Sequence, residues 1–346
     1  MRDHAHIVDL RSDTVTVPTP PMLQAMTAAE VGDDVYGEDR TVNRLQEIVA
    51  VMLGKDAALF VASGTMGNLV CIKSQTDPGD EIIMDADSHC YHYEGAGYAA
   101  IAGVGVHFVP ATRGIMDPEQ IALAVRPRDA HFPRSRLVVV ENTHNRGGGS
   151  VYPVETVERI AGACRNHGLA LHMDGARLFN ACVAAGVRPT DYARHADSVT
   201  ICLSKGLGCP VGSVVAGSKE FVRRAHRVRK MLGGGMRQAG YLAAAGIYAL
   251  EHNIERLAED HANARLLADG IRWIQGLKLK YDPPETNMVY FDAQPPHSPA
   301  GLVQALQDAN IRIGSIGGGT YRAVTHLGVG RADIERVTGV LRERYG

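Results

Sequence analysis

Lysine is scarce in this chain. Seven lysines stand against 29 arginines, so each amine able to do chemistry can be weighed singly. Cysteine is also sparse. The six residues Cys71, Cys90, Cys164, Cys182, Cys202 and Cys209 form no C-x-x-C pair and sit mostly among apolar neighbours. That pattern argues against a disulfide framework or a zinc site and for free thiols in a reducing compartment. No apolar run approaches the roughly 18 residues that a membrane-spanning helix needs. The formal net charge is only −2, which gives no bulk attraction to nucleic acid or to an anionic membrane. Met1-Arg2-Asp3-His4 leads into a polar segment, unlike the apolar stretch of a secretory signal. Internal repeats and low-complexity tracts are absent. These features predict a soluble, cytoplasmic protein.

What is present is apolar and rich in turns. The composition is 45% hydrophobic with 38 glycines, spread without a collagen-like period, and 346 residues exceed the usual size of one core. Residues 7–17 read as extended, and helical spacing follows at Val42, Leu45, Ile48, Val49 and Met52. From Ala57 the texture alternates. Strands are expected at 57–61, 81–85, 105–109, 136–141, 169–173 and 198–203, mostly separated by helical patterns. Continuous apolar strands joined by helices imply an α/β fold with a mostly parallel sheet covered on both faces. Val211–Ala216 is expected to fold back as an antiparallel neighbour, and long helices are expected at 218–231 and 237–275. The tail reads strand, strand, helix, strand, helix. We therefore expect a large domain at 1–254, including the N-terminal segment, and a smaller α+β domain at 255–346.

Among the lysines, Lys205 stands apart. It follows the apolar run Val199–Leu203 and Ser204, and precedes Gly206-Leu207-Gly208. At the end of a buried strand an ammonium is poorly solvated, and a neutral amine can attack a carbonyl. The other lysines fall in turns, on helices or on an exposed strand edge. Taken alone, Lys205 is as readily a surface lysine beyond a strand end. Its partner is Asp174, in Asp174-Gly175-Ala176-Arg177 at the end of the run Leu169–Met173. A lysine and a carboxylate at the ends of two strands suit pyridoxal phosphate, with the amine on the aldehyde carbon and the carboxylate on the pyridine nitrogen.

Further residues fit such a site. Ser63-Gly64-Thr65-Met66-Gly67-Asn68 opens a helix after a strand, where small residues and the helix N-terminus can cradle a phosphate. Gly64 and Thr65 lead that set, although a plain capped turn has the same look. His89 follows a strand by a short loop, where an imidazole could stack on a ring or move a proton. His131 is weaker by position. Arg177 could bond the cofactor's phenolic oxygen, and Arg322, at the start of Tyr321–Thr325, could present a fork to a carboxylate. The basic run Arg223–Lys230 suggests a nucleic-acid reader, but Phe221, Ala225, Val228 and Leu232 give its helix an apolar face. A solvated or subunit-facing helix is the better reading.

Several blocks together resemble the L-threonine aldolases of the fold-type-I (aspartate-aminotransferase-like) pyridoxal-phosphate superfamily. They are Asp9–Thr14, Gly32–Asp39, Ser63–Asn68, Glu141-Asn142-Thr143-His144-Asn145, His172–Arg177, Leu203–Gly208, Gly233–Gln238 and Val324–Leu327. The resemblance implies that Lys205 carries the cofactor, that Asp174 pairs with the ring nitrogen and that His89 stacks over the ring. It implies phosphate binding by Gly64 and Thr65, helped by Arg237 from another subunit, with Lys230 a nearby subunit-contributed cation. Ser12, Arg177 and Arg322 would hold the substrate carboxylate or the cofactor oxygen. Tyr36, His89 and His131 would surround the substrate hydroxyl. The implied substrate is a small β-hydroxy-α-amino acid cleaved to glycine and an aldehyde. The base is left between His89, His131 and a water held by them. No metal is implied. The implied assembly is a homo-oligomer with shared sites, a dimer at minimum and a tetramer in full. One departure is the glycine-rich stretch Arg146-Gly147-Gly148-Gly149-Ser150, longer than the family's usual link. A β-eliminating lyase or an aminotransferase of the same fold would share Lys205 and Asp174.

Overall fold

The protein is described by a computed structural model over residues 6–294 and 299–346. The Met1–His4 lead lies outside the described residues. The strands in chain order are β1 (Val8–Leu10), β2 (Ala57–Val61), β3 (Glu81–Asp85), β4 (Gly105–Val109), β5 (Ala111–Thr112), β6 (Ile115–Met116) and β7 (Ser135–Glu141). There follow β8 (Ala170–Gly175), β9 (Ser198–Cys202), β10 (Ser213–Gly217), β11 (Leu277–Leu279), β12 (Met288–Ala293), β13 (Ile311–Gly317) and β14 (Thr320–Val324).

Seven strands form the large sheet, in the order β2-β10-β9-β8-β7-β3-β4. From β9 to β4 all neighbours are parallel, and β10 runs antiparallel to both β2 and β9. The central strands are buried along their whole length: β3, β9 and β10 expose no residue. The sheet feeds a different core on each face, as a side-chain period of two requires. Phe60 and Val214 join the core packed by the helix Arg40–Leu53, whereas Leu59, Val61 and Val215 join Val70 and Phe221 on the other side. The Arg40–Leu53 helix starts where Asp39 Oδ1 accepts from Val42 N at 2.9 Å and stops at Gly54, whose φ is +61°.

The smaller sheet has the order β1-β13-β14-β12-β11 and a core of its own that includes Val8, Leu10, Leu267, Val289, Ile311 and Leu341. Helices Leu257–Arg272, Pro299–Asp308 and Arg331–Tyr345 accompany it. Its β1 comes from the beginning of the chain and pairs in parallel with β13, Val8 opposite Ile311. The sequence allows the N-terminal segment to pack with the smaller domain, but neither its parallel pairing nor β13 was anticipated, and β1 belongs to the small sheet rather than to the large domain.

The expected single helix over 237–275 is two helices, Gly240–His252 and Leu257–Arg272. The break has a cause. Asn253 ends the first helix and turns its Nδ2 onto the buried Leu207 carbonyl at 2.8 Å, so the residue at the join braces the turn that follows Lys205. The basic helix Lys219–Met231 buries Phe221, Ala225 and Val228 as expected, and also buries Arg229, which is 2% exposed. Arg229 donates to Asp34 Oδ2 and to the Phe60 carbonyl, both at 2.8 Å, the pairing that a buried guanidinium requires. The expected apolar face is therefore present, with one paired cation at its edge.

Candidate active site

The C-terminal ends of β7, β8 and β9 place the chemistry, because Glu141 lies opposite Asp174 and Asp174 opposite Thr200. Asp174 is 1% exposed. Its Oδ1 accepts from the Ala176 N–H at 3.0 Å, and its Oδ2 accepts from Asn68 Nδ2 at 2.8 Å. Behind it lies His172, whose Nε2 meets Asn68 Oδ1 at 3.1 Å and whose Nδ1 meets Ser198 Oγ at 2.9 Å. Burial pushes this imidazole down to about 4, so it is neutral at physiological pH and joins the network as a hydrogen-bonding spacer.

Lys205 follows β9 on a tight turn. The Gly208 N–H donates to the Lys205 carbonyl at 2.9 Å, and so does Thr16 Oγ1 at 3.0 Å. Gly208 has φ +82°, and a Cβ there would lie 2.5 Å from Leu327, so the turn admits only glycine. Among the described residues the Lys205 amine has no hydrogen-bond or ion-pair partner. The helix Gly64–Gln75 points its N-terminus at the same space, capped by Ser63 Oγ accepting from Met66 N at 3.2 Å. A Cβ on Gly64 would fall 2.6 Å from Cys202 Sγ, so glycine lets this helix end close against β9. His89 opens the short helix His89–His92. Its N–H donates to Glu141 Oε2 at 2.7 Å, its Nδ1 lies 2.8 Å from Glu94 Oε1, and its ring centroid is 5.3 Å from that of Tyr93.

Two adjoining cavities result. The inner one, about 220 Å³, is lined by Gly64, Thr65, Asn68, His89, Asp174 and Lys205, among others. The outer one, about 460 Å³, includes Ser12, His89, Asn145, Arg177, Lys205 and Arg322. The two arginines differ. Arg177 is buried and spends its fork on buried Asp13, with Nε to Oδ2 and Nη2 to Oδ1 both at 2.7 Å. Burial would raise the Asp13 carboxyl, yet Arg177, with Lys205 beyond it, holds it at about 2. Among the described residues Arg322 has no carboxylate partner. Its Nη1 donates to Asn145 Oδ1 at 2.7 Å and its Nη2 to the Arg11 carbonyl at 3.0 Å, while its buried Nε is unpaired.

Ser12, Gly64, Thr65, His89, Asp174, Arg177, Lys205 and Arg322 thus meet around one cleft. Four others do not enter it within the chain. Tyr36 is 75% exposed, and Arg237 is paired with Asp33 at the surface at 2.9 Å. Lys230 is exposed at the end of its helix. The His131 imidazole is 88% exposed and bonded to Asp129 at 2.6 Å. His131 precedes β7, at the N-terminal edge of the parallel strands and so at the end opposite Glu141; within one chain it is not a neighbour of His89. Sequence reasoning gave no role to Asn68, Glu94, Glu141, Asn145 or Tyr290. Only Asn68 left a local trace, four residues after Gly64 on the same helix face.

The donor set fits pyridoxal phosphate. An unpartnered amine, a buried carboxylate and an open helix N-terminus surround one small cavity, matching an aldehyde, a ring nitrogen and a phosphate. Sheet topology and site together define the class as fold-type-I enzymes dependent on this cofactor.

The profile of the beta-eliminating lyase family matches residues 9–294. The low-specificity L-threonine aldolase of Escherichia coli strain K12 is 44% identical over 332 residues, 96% of this chain and 97% of that protein. Low-specificity L-threonine aldolase 1 of Arabidopsis thaliana is 48% identical over 83% of this chain and 81% of its own length. Among solved structures, Leishmania major threonine aldolase superposes with a TM-score of 0.85 at 22% identity, covering 98% of this chain and all of that one. A putative L-allo-threonine aldolase of Listeria monocytogenes gives 0.80 at 20% identity, over 97% and 96% of the two chains. The chain belongs to the beta-eliminating lyase family, among its threonine aldolases, and is a pyridoxal-phosphate-dependent lyase. Among the described residues no helix is long and apolar enough to cross a membrane.

Proposed function

We propose that the protein reversibly cleaves L-threonine, L-allo-threonine and related β-hydroxy-α-amino acids to glycine and an aldehyde. The observation that carries this reading is the cleft itself. The Lys205 amine and the Asp174 carboxylate stand at its inner end, and the carboxylate-free fork of Arg322 stands at its outer end. When bound, pyridoxal phosphate supplies a carbonyl for the substrate amine and a ring that takes up the electron pair released at Cα. Lys205 would hold the cofactor through its amine between turnovers. Asp174 keeps a proton on the ring nitrogen, and the N–H groups at Gly64 and Thr65 receive the phosphate. Arg322, with Ser12 beside it, grips the substrate carboxylate and so selects the bond at Cα that is presented for cleavage. Arg177 keeps Nη1 for the cofactor oxygen. His89, or a water it holds, removes the hydroxyl proton.

Tyr36, Lys230, Arg237 and His131 reach a cleft only from another subunit, so this reading carries with it a homo-oligomer with shared sites, a dimer at least and a tetramer in full. His131 then stands beside the hydroxyl from across the interface. We take the boundary between the larger and smaller domains to lie near residue 254, with the helix break at Asn253 in support and β1 joining the smaller sheet, and the protein works in the cytoplasm. Incubation with L-threonine, L-allo-threonine and L-phenylserine should release glycine and the matching aldehyde in equal amounts. A keto acid, with or without ammonia, would instead identify a β-eliminating lyase or an aminotransferase.

A further inference from the structure

Glu94 lies beside the inner cavity, and no role in the reaction as described above falls to it. It is 8% exposed, and one of its oxygens serves two partners: Oε1 accepts from Asn68 Nδ2 at 2.8 Å and lies 2.8 Å from His89 Nδ1. The same Asn68 nitrogen donates to Asp174 Oδ2 at 2.8 Å. One side-chain amide therefore clasps two carboxylates. One of them meets the imidazole over the cavity, and the other lies where the ring nitrogen would be held. One side-chain nitrogen or oxygen from each of His89, Glu94 and Asp174 lies within 4.8 Å of the other two. A carboxylate on Nδ1 fixes the proton there and leaves Nε2 as the ring's other edge. Among the described residues Nε2 has no partner.

We propose that Glu94 is a positioning residue that acts through His89 and, by way of Asn68, fastens His89 and Asp174 into one rigid unit. The inference rests on the aldolase reading for its purpose, since it concerns the imidazole assigned to the substrate hydroxyl. Its geometry is independent of that reading. Glu94 sets the charge of His89 as well as its angle. Burial alone would push the imidazole down, but the Glu94 bond, with Asp174, Glu141 and the Glu94 charge adding to it, carries it above its ordinary value. Burial and the nearby Asp174 raise the Glu94 carboxyl, while His89 and Asn68 pull it back. The Cys90 thiol, 4.0 Å from Asp174, is pushed well above its usual range and stays protonated. Tyr93 packs on the imidazole, Glu141 receives the His89 backbone N–H, His92 leans toward exposed Asp87, and Lys205 lines the same cavity. With Glu94 ionised, a protonated His89 is balanced by its own partner, and the Asp174 charge remains for the cofactor ring.

The test reads His89 directly, in the full-length chain before the cofactor is added. Diethyl pyrocarbonate modifies only the neutral imidazole, so the pH dependence of His89 modification, followed by mass spectrometry of its peptide, gives its titration midpoint. Glu94→Gln keeps the shape and removes the charge, and should lower the midpoint by about one unit or more. Glu94→Ala should lower it as well, and Glu94→Asp, which keeps the charge, should hold it near the wild-type value. Asn68→Ala should leave the midpoint in place but weaken pyridoxal phosphate binding about tenfold, because Asp174 loses its clasp. An unchanged midpoint in both charge-removing variants, or unchanged cofactor affinity in Asn68→Ala, would overturn the proposal. No arm uses turnover, so failure here is separate from failure of wild-type protein to release an aldehyde from L-threonine.

Discussion

The two ends of the cleft are built on different plans. At the inner end nearly every polar atom is already bonded within the protein: Asp174 to Asn68 and Ala176, His172 to Asn68 and Ser198, His89 to Glu94 and Glu141. Among the described residues the Lys205 amine and His89 Nε2 are left without a partner. At the outer end, among the described residues, the guanidinium of Arg322 is held by uncharged oxygens and keeps a buried N–H unpaired. The first plan suits a group that stays from one turnover to the next, because a bonded frame is already in place when it binds. The second suits a group that comes and goes, since an unmet donor gains most from a carboxylate that supplies what it lacks.

The largest effect should come from the inner end. Lys205→Ala should cut aldol cleavage by roughly 10³-fold or more and abolish borohydride-stable labelling of the peptide around residue 205. If another peptide is labelled, the contrast between a fixed and an exchangeable end is lost. Next comes the buried pair that joins the two ends. Asp13→Asn leaves Arg177 uncompensated and should lower stability by about 3–5 kcal/mol, read as a fall in denaturation midpoint. An unchanged midpoint would mean that the Asp13–Arg177 pair does not hold the fold together.

Acid should expose the same division. His172, beneath Asp174, is held down at about 4 by burial, against an ordinary value of 6.5. Its neutral form favours the folded state. That stability is complete above pH 6.5 and is lost as the unfolded chain takes up the proton between pH 6.5 and 4, up to about 3 kcal/mol in all. His261, also pushed down to about 4, adds in the same direction. Asp13 works lower still, its contribution draining between pH 3.8 and about 2. Chemical denaturation from pH 8 to pH 4 should show the loss, and a flat profile would place His172 outside a dry site. The smallest effect belongs to the outer end. Arg322→Ala should raise the KM for L-threonine about 10–100-fold, the equivalent of about 1.5–3 kcal/mol, with little change in cofactor affinity. A loss of cofactor instead would make the two ends one.

Much of the large sheet could be read in advance. Its strands are continuous apolar runs bounded by glycine or by charge, so Ala57–Val61 and Glu81–Asp85 agree to the residue. Lys205 and Asp174 were legible for the same reason: each is a polar residue where such a run stops. What could not be read depends on separation. Asp13 and Arg177, 164 positions apart, carry no local mark of their pairing, nor do Val8 and Ile311. Strand β13 alternates only briefly before its glycines. Glu94 follows His89 by five residues, a spacing without periodic meaning; it matters because a single turn of helix folds it back. Tyr36, His131, Lys230 and Arg237 bear the right side chains, but their own chain holds them away from its cleft.

The seam between β1 and β13 has a consequence for the order of assembly. Ser12 and Asp13 are carried into the cleft by a strand whose paired neighbour is made some three hundred residues later. A ribosome therefore releases the large sheet, with Lys205 and Asp174 in hand, long before the wall opposite them can close. Since contacts so distant along the chain form late, catalytic competence should arrive only once the segment carrying β13 has been made.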